Sequence, residues 1–88
     1  MKTKKIYVIE SYPYITEKVS AITICKVYAK RHTAEVEFSE NYLEALRANE
    51  TTKKCLVHGD EVLDMYCYET LSGKLCYVRL REMEMIMD

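Results

Sequence analysis

Between residues 62 and 83 the side chains alternate with a period of two, the pattern of paired β-strands whose two faces differ. Leu63, Met65, Cys67 and Glu69 alternate with Val62, Asp64, Tyr66 and Tyr68. Beyond Thr70-Leu71-Ser72-Gly73, Lys74, Cys76, Val78 and Leu80 alternate with Leu75, Tyr77, Arg79 and Arg81. A glycine closing a type I turn favours a four-residue loop. That loop sets Cys67 against Cys76, Met65 against Val78 and Leu63 against Leu80, and on the other face Tyr68 against Leu75, Tyr66 against Tyr77 and Asp64 against Arg79. A tighter Ser72-Gly73 turn slides the pairing by two and leaves each side chain on its face. Either register predicts Leu63, Met65, Val78 and Leu80 facing the core, with Tyr66, Tyr68, Leu75, Tyr77 and Arg79 together on the opposite face.

Upstream, residues 6–10 read as a first strand from their β-branched and aromatic content, closed by Pro13 between Tyr12 and Tyr14. Residues 19–29 are ambiguous. Thr16 can cap a helix, but Val19, Ile22, Thr23, Ile24 and Val27 are β-branched, which favours a strand. Folding residues 21–29 onto residues 34–38 about Lys30-Arg31-His32-Thr33 pairs Cys25 with Phe38, Val27 with Val36 and Ala29 with Ala34. Lys26 then meets Glu37, and Tyr28 meets Glu35, on the other side. Ser39 fits as the N-cap of a short helix over residues 40–48, with Asn49 in the left-handed C-terminal position. Residues 53–58 read as a further strand that turns at Gly59-Asp60 into the hairpin. The tail from Met83 either extends the last strand or forms a short helix.

The predicted order is β-β-β-α-β-β-β over residues 1–88. This is one α+β domain with a small antiparallel sheet and a helix packed on or capping it. A helix between strands three and four resembles the OB-fold, a small barrel that binds single-stranded nucleic acid; the resemblance is topological and covers the chain loosely. Two glycines in 88 residues make the sharp bends of a small barrel hard to form.

Thirteen basic against 14 acidic residues leave a net charge of -1, so no global field draws polyanions or membranes. No apolar run approaches the roughly 18 residues a membrane span needs, and the basic start at residues 1–5 precedes only a short apolar run, unlike a secretory leader. Four cysteines in a chain with regular strands do not make a disulfide scaffold, so a reducing, cytoplasmic setting is expected, with Cys67 and Cys76 as the one conceivable pair.

Candidate chemistry is sparse. Cys55 and His58, with Cys67 and Cys76, have the residue types of a zinc site, but Cys55 and His58 point to opposite faces of an alternating strand and no knuckle spacing is present. Buried thiols and a turn histidine are the better reading, and no metal or other cofactor is expected. His58, Asp60, Glu61 and Asp64 surround a glycine turn and read as a solvated loop. No nucleophile elbow, phosphate loop or zincin motif is present, so catalysis is not expected. Lys30, Arg31 and His32 form a basic tip suited to phosphates, offset by Glu35 and Glu37. Eight tyrosines beside one phenylalanine and no tryptophan form a skewed aromatic set, and tyrosine and arginine are enriched at binding hot spots. The residues therefore point to a non-catalytic protein-binding module, acting as a homodimeric accessory factor or a steric inhibitor of a larger complex, through Tyr66, Tyr68, Leu75, Tyr77 and Arg79. Nucleic-acid binding is the competing class.

Overall fold

A computed structural model describes residues 2–13, 23–57, 59 and 61–87. Five strands, β1 (Lys2–Pro13), β2 (Thr23–Tyr28), β3 (Lys53–Lys54), β4 (Val62–Glu69) and β5 (Leu75–Met87), form one antiparallel sheet of order β2-β1-β5-β4-β3. One helix is present among the described residues: α1 (Arg31–Ala48) lies between β2 and β3 in sequence and packs on one sheet face. The fold is thus the expected α+β arrangement, with β3, β4 and β5 as a meander. The sheet is not closed into a barrel: β2 and β3 are its two edges. The 12 residues of β1 pair with β5 from Lys2↔Met87 to Pro13↔Cys76, so Met83 to Met87 extend the last strand. Strands this long span about 40 Å at the usual rise and account for most of the 46 Å long axis.

The expected third strand, residues 34–38, is instead helix. Ala34, Glu35 and Glu37 carry higher helix propensity than their alternation with Val36 and Phe38 suggests, and they run without interruption into residues 40–48. Ala34 and Phe38, both buried, are one turn apart and enter the core with Tyr42 and Ala45 as a continuous inward stripe. The start is poorly marked. Lys30 stands at the N-cap with no side-chain cap bond, and no acidic residue lies in the first turn. Ser39 is therefore mid-helix, and Asn49 is extended at φ -150° rather than left-handed. The side chain of Asn49 fastens the helix end differently. Its Nδ2 donates to the Glu69 carbonyl at 2.7 Å, while its Oδ1 accepts from the Thr51 amide at 3.0 Å. Thr52, nearly buried, donates its hydroxyl to the Ala45 carbonyl at 3.0 Å.

The β4–β5 hairpin exists, but in a third register. Glu69 pairs with Leu75, Tyr68 with Cys76, Cys67 with Tyr77, Tyr66 with Val78 and Met65 with Arg79. The connection is five residues, 70–74. Thr70 closes it by donating its amide to the Lys74 carbonyl at 2.7 Å and accepting the Gly73 amide at 2.9 Å, with Gly73 at φ +83°. An odd loop shifts one strand by one residue against the other and exchanges the faces of every residue on it. Tyr66, Val78 and Leu80 therefore share the helix side with Tyr7, Ile9, Ala34 and Phe38. Met65 lies on the opposite side, although fully buried, and Leu63 returns to the helix side through a register shift between Val62 and Asp64.

Candidate functional site

The two sheet faces carry different chemistry. On the helix side Tyr66 packs against two aromatic rings of α1, 5.3 Å from Phe38 and 5.3 Å from Tyr42, both tilted. The Lys54 ammonium lies over the Phe38 and Tyr42 rings at 5.2 and 4.7 Å and donates to Asp64 Oδ2 at 2.6 Å. Burial pushes the Tyr66 phenol up to about 12, helped by the nearby Tyr68, Cys25 and Glu44 groups; burial likewise raises Tyr68. Both hydroxyls stay protonated at neutral pH.

The face away from the helix is organised around a buried carboxylate. Glu10, 4% exposed, accepts from Arg79 Nε at 2.8 Å and from Arg81 Nη1 at 3.3 Å. Register explains the grouping: Glu10 pairs with Arg79 and Val8 with Arg81, so the three alternate onto one side of β1 and β5. Charge-assisted bonds of this kind compensate the desolvation of Glu10, while two guanidinium groups leave the triad with a positive excess. Arg81 Nε is buried without a hydrogen-bond partner among the described residues. One step along, Tyr12 pairs with Tyr77, their rings stacked at 5.5 Å, and Arg79 lies over Tyr12 at 5.0 Å. Apolar residues flank this centre on the β2 side and toward the far end of the β1–β5 ribbon. Val27 pairs with Val8 and Ile24 with Glu10 on the β2 side, and Ile6 pairs with Met83 further out. Ile24 is 61% exposed and Val27 56%, and Met85 and Met87 are exposed on the same side of the β1–β5 ribbon. No described helix or strand packs over this face.

The five residues expected to share a surface are thus divided. Tyr66 and Tyr68 face the helix, Tyr66 as core; Leu75, Tyr77 and Arg79 lie on the other face. Tyr12, Glu10 and Arg81 join Tyr77 and Arg79 there, and sequence reasoning missed them. The signal was present: Ile6, Val8, Glu10 and Tyr12 alternate onto one side, and an acid at the parity of two arginines on a neighbouring strand is a charge match. Lys30, Arg31 and His32 are exposed, but they form the entrance to α1 rather than a hairpin tip, with Arg31 Nε 3.4 Å from Glu35. Lys26 does meet Glu37, at 3.3 Å, as a strand-to-helix ion pair that raises its pKa.

Cys67 pairs with Tyr77 and Cys76 with Tyr68, so these two thiols lie on opposite faces and cannot bridge. Cys55 lies beside Cys67, and burial pushes its thiol up to about 11. His58 and Asp60 lie outside the described residues, and so does the expected helix cap Thr16. Among the described residues no three histidine, cysteine or acidic side chains converge as a metal site, and no helix is long and apolar enough to cross a membrane. No protein-family model matches this chain, and neither does any curated protein or solved structure.

Proposed function

We propose that this chain is a non-catalytic protein-binding module whose docking surface is the sheet face away from the helix. The observation that supports it is the exposure of Ile24, Val27, Met85 and Met87 on the same sheet face as the Arg79–Glu10–Arg81 and Tyr12–Tyr77 centre. Apolar area with a rigid aromatic and arginine core has the composition of an interface, and methionines adapt to a partner's shape. The mechanism is steric: the module pairs with a second copy or occupies the surface of a larger assembly as an accessory factor or inhibitor. Four cysteines without a disulfide among them suit a cytoplasmic setting.

Single-stranded nucleic acid is the second reading, favoured by two tyrosines and an arginine on one sheet face. Against it, the Tyr12 and Tyr77 rings stack on each other and Glu10 engages both arginines.

The test is to compare the parent with Val27→Glu/Met85→Glu in sedimentation and in affinity capture from the native host, sequencing any nucleic acid that co-purifies. Both positions are exposed, so the fold should persist while self-association or a reproducible stoichiometric partner is lost. Lys30→Glu/Arg31→Glu should retain it. Tight, steeply salt-dependent binding of single-stranded DNA or RNA by the pure protein would instead install the second reading.

A further inference from the structure

On the helix side, away from the proposed docking face, a cleft of about 500 Å³ opens between the second half of α1 and the sheet. Its origin is a shortage of side-chain volume. Phe38 and Tyr42 fill the space under the middle of the helix, but the later positions facing the sheet are Ala45 and Ala48, and Ser11 lies opposite. Ile9 and Val78 form an apolar floor. The volume lies in the range of small-molecule sites, and the cleft has such a site's makeup, an apolar body with few polar groups.

The polar groups are selective. Among the described residues lining the cleft, Glu44 alone is charged, so these residues repel an anionic ligand. The Tyr66 hydroxyl and the Glu44 carboxylate have no hydrogen-bond partner among the described residues, and they are close enough for the Glu44 charge to act on the phenol. By contrast Asn49 is committed to Glu69 and Thr51. Two unspent acceptors match an ammonium group, which donates up to three hydrogen bonds.

We propose that the cleft binds a small organic amine, with its apolar body against Ile9, Val78, Ala45 and Ala48 and its ammonium group held by Glu44 and Tyr66. The two probes are 2-phenylethylamine and phenylacetate, which share a ring and differ in the sign of the head group. Each is titrated into the full chain by protein-observed NMR, with alkylation of Cys25, which lines the cleft and is exposed, as a second readout. The amine should shift the Ala45, Ala48 and Tyr66 amides saturably and slow alkylation of Cys25, while phenylacetate does neither. Glu44→Gln, at an exposed helix position, should weaken the amine about ten-fold, the size of a lost charged hydrogen bond. Ala48→Leu, also exposed, should block it, with the remaining amide spectrum confirming the fold of each variant. Equal binding of both probes, no saturable amine binding by the parent, or an unchanged affinity in Glu44→Gln would each overturn the assignment.

Discussion

Replacing Tyr66 tests the sheet register more directly than any other single change, because the face of this residue depends on the five-residue loop. Tyr66 is 4% exposed and contacts Phe38 and Tyr42 at 5.3 Å each. Truncating a buried aromatic ring typically costs 3–5 kcal/mol, and each tilted aromatic pair contributes about 0.5–1.5 kcal/mol beyond its buried area. Tyr66→Ala should therefore cost about 4 kcal/mol, against roughly 4–13 kcal/mol for a domain of this length. Tyr66→Phe should cost less than about 1 kcal/mol, since the hydroxyl has no hydrogen bond among the described residues. Urea unfolding measures both, and the alanine variant should lose more than about 1 M in midpoint. A double-mutant cycle with Tyr66→Leu and Phe38→Leu isolates the ring contact, with an expected coupling of about 0.5–1.5 kcal/mol. With a four-residue loop, or one shortened by two, Tyr66 would point away from the helix and could not touch Phe38. A Tyr66→Ala cost below about 1.5 kcal/mol together with a coupling near zero would refute the register and with it the division of the tyrosines between two faces.

Glu10→Gln should destabilise by about 2–4 kcal/mol in the same assay, near the lower end of values for breaking a buried ion pair, because the arginines are about one-fifth exposed and recover some hydration. A cost below about 1 kcal/mol would mean that the triad is not a buried unit. Gly73→Ala should cost about 1 kcal/mol through backbone strain alone, since its φ is +83° and the nearest atom to an added Cβ is Glu69 Oε1 at 3.8 Å, an ordinary contact. Tyr66 also predicts a dependence on alkaline pH. Its phenol titrates near 10 when unfolded and near 12 when folded, so its contribution is complete below pH 10 and is lost as pH rises from 10 to 12, by about 1.4 kcal/mol per unit. Stability measured across that window should fall less steeply in Tyr66→Phe than in the parent.

Much of the sheet was legible because strand alternation is a local property. The first strand, the β2 segment and both hairpin strands occur where their β-branched and alternating residues lie, with β1 and β5 longer than their patterns suggested. The helix over residues 31–39 was hidden for two physical reasons. Ala34, Val36 and Phe38 against Glu35 and Glu37 satisfy a period of two as well as a helical stripe does, and the helix begins at Lys30-Arg31 without the cap or acidic first turn that marks most starts. Even the Lys26–Glu37 pair, expected across two strands, forms between strand and helix, so a correct contact supported an incorrect element.

The face assignment failed at a deeper level. In β4 both alternating sets are apolar, Met65 and Cys67 on one side and Tyr66 and Tyr68 on the other, so the usual contrast between core and solvent faces could not choose the register. That lack of contrast has its own cause. Met65, Cys67 and Val8 are buried on the side away from the helix, just as Tyr66, Val78 and Leu80 are buried beneath it. Among the described residues, one helical layer covers a sheet that is apolar on both faces. On the far side, the stems of Arg79 and Arg81 and the stacked Tyr12–Tyr77 pair supply cover over the middle of the sheet. Ile24, Val27, Met85 and Met87 remain exposed at its margins. The feature that obscured the register therefore also leaves the apolar surface on which the proposed protein-binding role rests.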